Sequence, residues 1–232
     1  MPAGISPFAP PSRLSGGRAR LLVDWADMTP NSFDSKAATW DDDPAKVERA
    51  SAVARTIAEA VPLDPRARLL EYGAGTGLVT QALRDLVGPV TLADTSQGMR
   101  DVLAGKIEAG TLTDARVWDV DLAVQPVPDE RFDVIVTVMA LHHIEDVGAV
   151  LAAFARLLDD DGRLCVVDLD AEDGSFHGEA FGGHRGFERS HLAADLAGAG
   201  FTDVEFRDCH RIERPDGDFP LFLATARRAA DR

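Results

Sequence analysis

The sequence predicts a doubly wound α/β fold: a mainly parallel sheet with helices on both faces, closed by a last strand that runs antiparallel. Three observations predict it. Apolar runs of strand length alternate with helical patterns between residues 68 and 169. A glycine turn, Gly73-Ala74-Gly75-Thr76-Gly77, joins the first strand of that series to its first helix. Two further strands then end the chain as a hairpin around Pro215-Asp216-Gly217. Strands separated by helices pair in parallel, because each crossover needs a connection of helical length.

The elements follow in order. Residues 1–30 form a Pro/Gly/Ser-rich stretch that carries Arg13, Arg18 and Arg20 near its start, then an apolar–acidic segment with Trp25. Its composition reads as a disordered tail. Asn31 or Ser32 can cap a short helix whose one face holds Phe33, Ala37 and Trp40. The acids Asp41, Asp42 and Asp43 suit a solvated helix N-terminus. Pro44 opens a second helix to about residue 60, with Val47, Ala50, Val53, Ala54 and Ile57 as its apolar stripe. The core that follows spans residues 66–169. Its predicted strands are 68–72, 89–94, 117–120, 132–138 and 163–169, and its helices 77–87, 97–107 and 147–158. Residues 170–187 form a loop long enough to be functional. The segment 188–232 supplies a helix over 188–199, ended by Gly200, and the strands 201–208 and 219–226.

Composition narrows the function classes. The chain has 232 residues, enough for one domain with an appendage, and a net charge of −15. That surplus of carboxylates argues against a nucleic-acid partner, which needs clustered Lys and Arg. No apolar run is long enough to span a membrane, and the basic N-terminal residues do not precede an apolar core as in a signal peptide. Cys165 and Cys209 fall on predicted strands without metal-ligand spacing, and read as buried free thiols. A cytoplasmic location, no metal, and a monomer or homodimer are expected.

The glycine turn is where chemistry enters. Gly73, Gly75 and Gly77 permit positive φ and leave no Cβ between the backbone and a ligand. A dinucleotide fingerprint needs its third glycine one residue later, where this chain has Leu78. Glu71 lies just upstream, and a carboxylate is a poor neighbour for a pyrophosphate and a good one for an ammonium group. The turn therefore favours a nucleotide-like ligand with an amino-acid end, and disfavours an NAD-dependent oxidoreductase.

Several ordered motifs carry a resemblance to a known family. They are Leu69-Leu70-Glu71-Tyr72-Gly73-Ala74-Gly75-Thr76-Gly77, then Ala93-Asp94-Thr95-Ser96-Gln97-Gly98-Met99. Next come Asp121 with the Pro128–Asp133 run, Ala140-Leu141-His142-His143-Ile144, and Ala199-Gly200-Phe201 before the hairpin. From about Phe33 to its C-terminus the chain resembles the class I S-adenosylmethionine-dependent methyltransferases, especially the small-molecule, ubiquinone-biosynthesis-like branch. The resemblance implies a Rossmann-like, seven-stranded sheet with the last strand antiparallel, and an N-terminal helical lid over residues 31–62. It implies S-adenosylmethionine as methyl donor, S-adenosylhomocysteine as product, and a small-molecule acceptor enclosed by the lid and the 170–187 loop.

The same resemblance implies residue roles. Glu71 would face the donor's ammonium, and Gly73, Gly75 and Gly77 its amino-acid chain. Asp94 would accept from both ribose hydroxyls, with Thr95 beside it and Met99 against the adenine. Alternatively Asp94 caps the next helix and Met99 fills the core. Asp121, rather than Asp119, would accept from the adenine amino group, while the Leu122 amide donates to the ring. Asp133 reads as structural. Val138, with Met139 and Ala140, would floor the site beneath the methyl group. Phe33 and Trp40 would exclude water or contact the sulfonium as lid aromatics, or else form the core of a two-helix cap. His142, His143 and His184 are candidate general bases, with His177 also in the late loop. The plainer role for His142 and His143 is capping or packing. The function implied is in-line methyl transfer to oxygen, nitrogen or carbon of a small acceptor. A non-catalytic S-adenosylmethionine-binding regulator of the same fold is the alternative.

Overall fold

The computed structural model describes residues 30–215 and 217–229. The predicted tail and Trp25 lie outside the described residues, as does Asp216 of the hairpin turn. The sheet has seven strands in the order β3-β2-β1-β4-β5-β7-β6. They are β1 (Leu69–Tyr72), β2 (Val90–Ala93), β3 (Ala115–Trp118), β4 (Phe132–Val138), β5 (Leu158–Leu169), β6 (Phe201–Arg214) and β7 (Gly217–Arg228). Pairing is parallel from β3 through β5, and β7 alone runs against its neighbours. The order reverses between β1 and β4, so their carboxyl ends form the crevice where open α/β sheets hold ligands.

Helices cover both faces, as the alternation requires. On one face α2 (Pro44–Ala60), α3 (Leu78–Leu83) and α4 (Gln97–Glu108) bury Ile57, Val53, Leu83 and Leu103 against Leu69, Leu92 and Val136. On the other, α5 (Val147–Leu157) and α6 (Arg189–Gly198) bury Phe154, Leu157 and Leu196 against Leu70, Ile135 and Val166. Residues alternate between these two cores along each strand, the period of two expected of a pleated sheet. The edge strand β6 exposes Asp203, Glu205, Asp208, Arg211 and Glu213, charges of the kind that disfavour edge-to-edge pairing.

Several boundaries differ from the sequence expectation. The first helix is α1 (Pro30–Lys36), which takes in Asn31 and Ser32, and a 3-10 turn, Ala37–Asp42, continues it. Asp43 caps α2 through the Ala45 amide at 3.0 Å. In α2 it is Lys46 that is buried and Val47 that is exposed, because the Lys46 stem lies over Trp40 with its ammonium 3.9 Å from the ring centroid. The helix after the glycine turn ends at Leu83 and tightens into a 3-10 turn, Arg84–Leu86. Strand β3 sits two residues earlier than expected, because Val90 pairs with Ala115 and Ala93 with Trp118. Strand β5 begins at Leu158, opposite Phe132, and takes in the acidic run through a register shift. Cys165 is buried, whereas Cys209 is only partly so.

Candidate active site

The glycine turn follows β1 directly, and its glycines have positive φ for different reasons. An added Cβ at Gly73 (φ +70°) would collide with the Ala140 side chain, and one at Gly77 (φ +78°) would lie 2.8 Å from Leu103. At Gly75 (φ +55°) no atom lies within 4 Å of that position. Packing therefore accounts for Gly73 and Gly77, while Gly75 presents bare backbone to open space.

Two carboxylates hold this turn. The Gly75 amide donates to Asp94 Oδ2 at 2.7 Å, and the Ser96 amide to Asp94 Oδ1 at 2.8 Å. Asp94 thus ties the end of β2 both to the turn and to the start of α4. Burial pushes its carboxyl upward despite these donors. Glu71 is buried beneath α3, where its Oε2 accepts from the Thr80 hydroxyl and from the Thr80 amide at 3.1 Å. Burial pushes Glu71 up to about 7, and these Thr80 donors oppose the rise.

At the end of β3 the two candidate adenine partners separate. Asp119 is exposed and pairs with Arg100 at 3.0 Å. Asp121 accepts only from its own turn among the bonds of the described residues: the Ala123 amide at 2.9 Å and, through its carbonyl, the Val124 and Gln125 amides at 3.3 and 2.8 Å. The Leu122 amide, assigned from the resemblance to a ring acceptor, already donates to Tyr72 Oη at 3.1 Å. Met99 is buried below the first turn of α4, and Thr95 is exposed.

The N-terminal helices are fastened over this edge. Asp34 accepts from Ser96 Oγ at 2.5 Å and from the Gly98 amide at 2.9 Å. Gly98 allows the approach, since a Cβ there would lie 2.7 Å from the Asp34 carbonyl oxygen. Asp41 accepts from Thr76 Oγ1 at 2.5 Å and pairs with Lys106 at 2.6 Å, while Lys106 also donates to the Thr76 carbonyl at 2.7 Å. Asp41 is thus a clamp on the glycine turn rather than a solvated acid. Phe33 reaches the site: its ring stands edge-on to His143 at 5.3 Å and 6.1 Å from Trp40. Trp40 receives the Lys46 ammonium on its ring, which makes it part of the cap's own packing.

Beyond β4 the chain turns through Met139, a non-glycine residue at φ +54°. Val138 ends the strand half-buried at this point. His142 is 1% exposed and its Nδ1 lies 2.5 Å from Asp168 Oδ1 at the end of β5. Asp168 accepts as well from the His142 amide at 3.3 Å and the Leu169 amide at 2.8 Å. With Asp168 at Nδ1, Nε2 is the ring nitrogen left without a hydrogen-bond partner among the described residues. His143 and His177 gather around it, with ring centroids 4.1 Å and 5.1 Å from His142. Phe181 stacks on His177 at 4.0 Å. Burial, then the neighbouring imidazoles, lower His143 to about 2; burial, then His142 and Arg214, lower His177 to about 3. Both are therefore neutral at physiological pH.

His184 is placed elsewhere. Its Nε2 lies 2.9 Å from the Ile144 carbonyl and its amide donates to the His142 carbonyl at 2.7 Å. A ring nitrogen that donates to a carbonyl is not a base, so this face of His184 anchors the late loop. Sequence reasoning missed Asp168 and Asp34, took Asp41 for a solvated acid, and placed His177 in the late loop without joining it to His142 and His143. Only Asp168 left a signal, as a lone acid in the apolar run Cys165-Val166-Val167-Asp168-Leu169.

Comparison with known proteins gives the family and the fold. Residues 46–206 match the family described as Methyltransferase domain. A malonyl-[acyl-carrier protein] O-methyltransferase of Geobacter sulfurreducens is 29% identical over 215 residues, 85% of this chain and 78% of the relative. A ubiquinone/menaquinone biosynthesis C-methyltransferase of Teredinibacter turnerae is 32% identical over 50% of this chain and 49% of its own length. A solved Burkholderia thailandensis 1,6-didemethyltoxoflavin-N1-methyltransferase, with 1,6-didemethyltoxoflavin and S-adenosylhomocysteine bound, aligns with a TM-score of 0.63 at 24% identity over 87% of each chain. The chain spans about half the length, or less, of several curated relatives that it matches. The chain belongs to the methyltransferase-domain family, as a class I methyltransferase whose cofactor is S-adenosylmethionine. Among the described residues no helix is long and apolar enough to cross a membrane.

Proposed function

We propose that this chain transfers the methyl group of S-adenosylmethionine to a small-molecule acceptor held between the N-terminal helices and the 170–187 loop. The observation that carries the reading is Gly75: bare backbone at positive φ, open space where its Cβ would be, and the Asp94 carboxylate on its amide. The cofactor fits the polar groups that line this edge. Asp94 would accept from the ribose hydroxyls and Asp121 from the adenine amino group, with Thr95 beside the ribose and Met99 beneath the ring. Gly73 and Gly77 would shape the turn, and Glu71 would balance the ammonium from below. A ring acceptor at Leu122 would have to share its amide with Tyr72, so the Asp121 carboxylate carries the adenine contact.

The donor supplies an activated methyl group, so the protein's task is to position the acceptor and exclude water. Phe33 and the fastened cap serve exclusion. Val138 and Ala140 would floor the acceptor pocket. His142, oriented by Asp168, is the group placed to act on the acceptor, with His143 and His177 beside it. We read the acceptor as small because Phe33 of the N-terminal helix and Phe181 of the loop both meet the His143 ring, and the Burkholderia neighbour carries a small heterocycle. Calorimetry with S-adenosylhomocysteine, followed by a methyl-transfer screen over phenols, amines and thioester-linked acids, tests the reading. Binding without transfer to any acceptor class would favour the regulatory alternative instead.

A further inference from the structure

We propose that His142, His143 and His177 form a binding site for a divalent transition-metal ion of the zinc type. One nitrogen from each histidine lies within 4.8 Å of the others, although 34 residues separate His143 from His177 in sequence. Zinc–imidazole bonds of about 2.0–2.1 Å place tetrahedral ligand atoms roughly 3.4 Å apart. The nitrogens therefore need to close by up to about 1.4 Å, within the reach of χ rotation on a turn and a loop.

Three features separate this group from ordinary aromatic packing. His142 Nε2 is buried and has no hydrogen-bond partner among the described residues. A buried acceptor without a donor is costly, and a metal ion satisfies it. Its other nitrogen is held at 2.5 Å by Asp168, itself buried. A carboxylate on the far nitrogen fixes the tautomer and ring orientation of a metal-bound histidine and raises its basicity. Stacked rings alone would need no such partner. Finally, the ligand set is all imidazole, which suits zinc, iron, nickel or copper and is unsuited to magnesium or calcium.

Three protein ligands leave a fourth position open, the pattern of a catalytic rather than a structural site. The ion's use there rests on the methyl-transfer reading; its binding does not. An acceptor oxygen or nitrogen coordinated at that position loses its proton to solvent more readily. Its lone pair then bonds to the methyl carbon, while the donor sulfur keeps the electron pair of the broken carbon–sulfur bond.

Tag-free, chelator-treated full-length chain is titrated with Zn²⁺ by calorimetry and with Co²⁺ by absorption spectroscopy. The expected result is one ion per chain, intense visible bands from low-coordinate Co²⁺, and at least a tenfold loss of Zn²⁺ affinity in His142→Ala and in His177→Gln. The exposed His191→Ala should bind as the wild type does. S-adenosylhomocysteine binding is measured on the same samples. A wild-type chain that binds S-adenosylhomocysteine but takes up no Zn²⁺ overturns the metal site and spares the methyltransferase reading; Zn²⁺ uptake without S-adenosylhomocysteine binding supports the site and sinks that reading. Zn²⁺ affinity unchanged in the histidine variants also overturns it. If those variants do not fold, a featureless wild-type Co²⁺ spectrum does the same.

Discussion

Glu71 shows how much one buried carboxyl constrains this site. Its value near 7 lies above the usual 4.5, chiefly through burial. The folded chain therefore holds that proton more tightly than the unfolded chain does. The resulting stability is fully present below about pH 4.5 and is lost as pH rises through about 7. Glu71→Gln keeps an acceptor for Thr80 and removes the titration, so urea melts at acid and neutral pH should differ by roughly 2–3 kcal/mol less than in the wild type. The same carboxyl should couple to the cofactor. An ammonium brought near Glu71 favours its ionised form, so S-adenosylhomocysteine affinity should rise from about pH 6 to 8 in the wild type and stay flat in the glutamine variant. Asp94 makes a sharper prediction. Its carboxylate holds the Gly75 amide and faces the proposed ribose, and hydrogen bonds to a charged group contribute about 1.5–3 kcal/mol. Asp94→Ala should weaken S-adenosylhomocysteine binding by roughly 10- to 150-fold in calorimetry.

At the scale of elements, the cap is held to the core by polar contacts: Asp34 to Ser96 and Gly98, and Asp41 to Thr76 and Lys106. Such contacts are individually modest and can open without unfolding the core. Asp41→Ala should raise hydrogen exchange over residues 33–42 while shifting the melting temperature by only a few degrees. A loss of protection spread across the sheet would contradict this division. These contacts also mark the limit of what the sequence reveals. Strand β4 is legible to the residue, because its apolar run is sharply bounded and buried on both faces. Helix α2 is legible from Pro44 and its stripe, apart from the exposed Val47 and the buried Lys46, which packs on Trp40 in its place. Strand β5 is legible only from its apolar half, since Asp159, Asp160 and Asp161 fall between the expected helix and strand although Leu158 already pairs with Phe132. The glycines, Asp94 and Asp121 announce a cofactor edge, because chemistry demands those residue types near strand ends. His177 is visible as a late-loop histidine, but its packing against His142 and His143 is not, because no periodicity tells where a loop will fold back.

For the whole molecule, the sheet order places every proposed cofactor contact at one edge. The carboxyl ends of β1, β2 and β3 carry the turn, Asp94 and Asp121, while β4 and β5 end at His142 and Asp168. The proposed cofactor and acceptor groups would thus meet at the reversal between β1 and β4, beside the N-terminal helices that Asp34 and Asp41 fasten to this edge. The net charge of −15 suits a small acceptor better than a nucleic acid. Gly75 offers the most direct test, because its surroundings separate a ligand role from a packing role. Alanine at positive φ costs on the order of 1 kcal/mol of stability, yet its methyl meets no protein atom within 4 Å. Valine adds bulk into the same open space. S-adenosylhomocysteine titrated into wild type, Gly75→Ala and Gly75→Val by calorimetry should give one site per wild-type chain, weaker binding in alanine, and none measurable in a valine variant that still melts cooperatively. Equal affinity in all three folded proteins, or no binding by the wild type, would contradict the placement of the methyl donor at this turn.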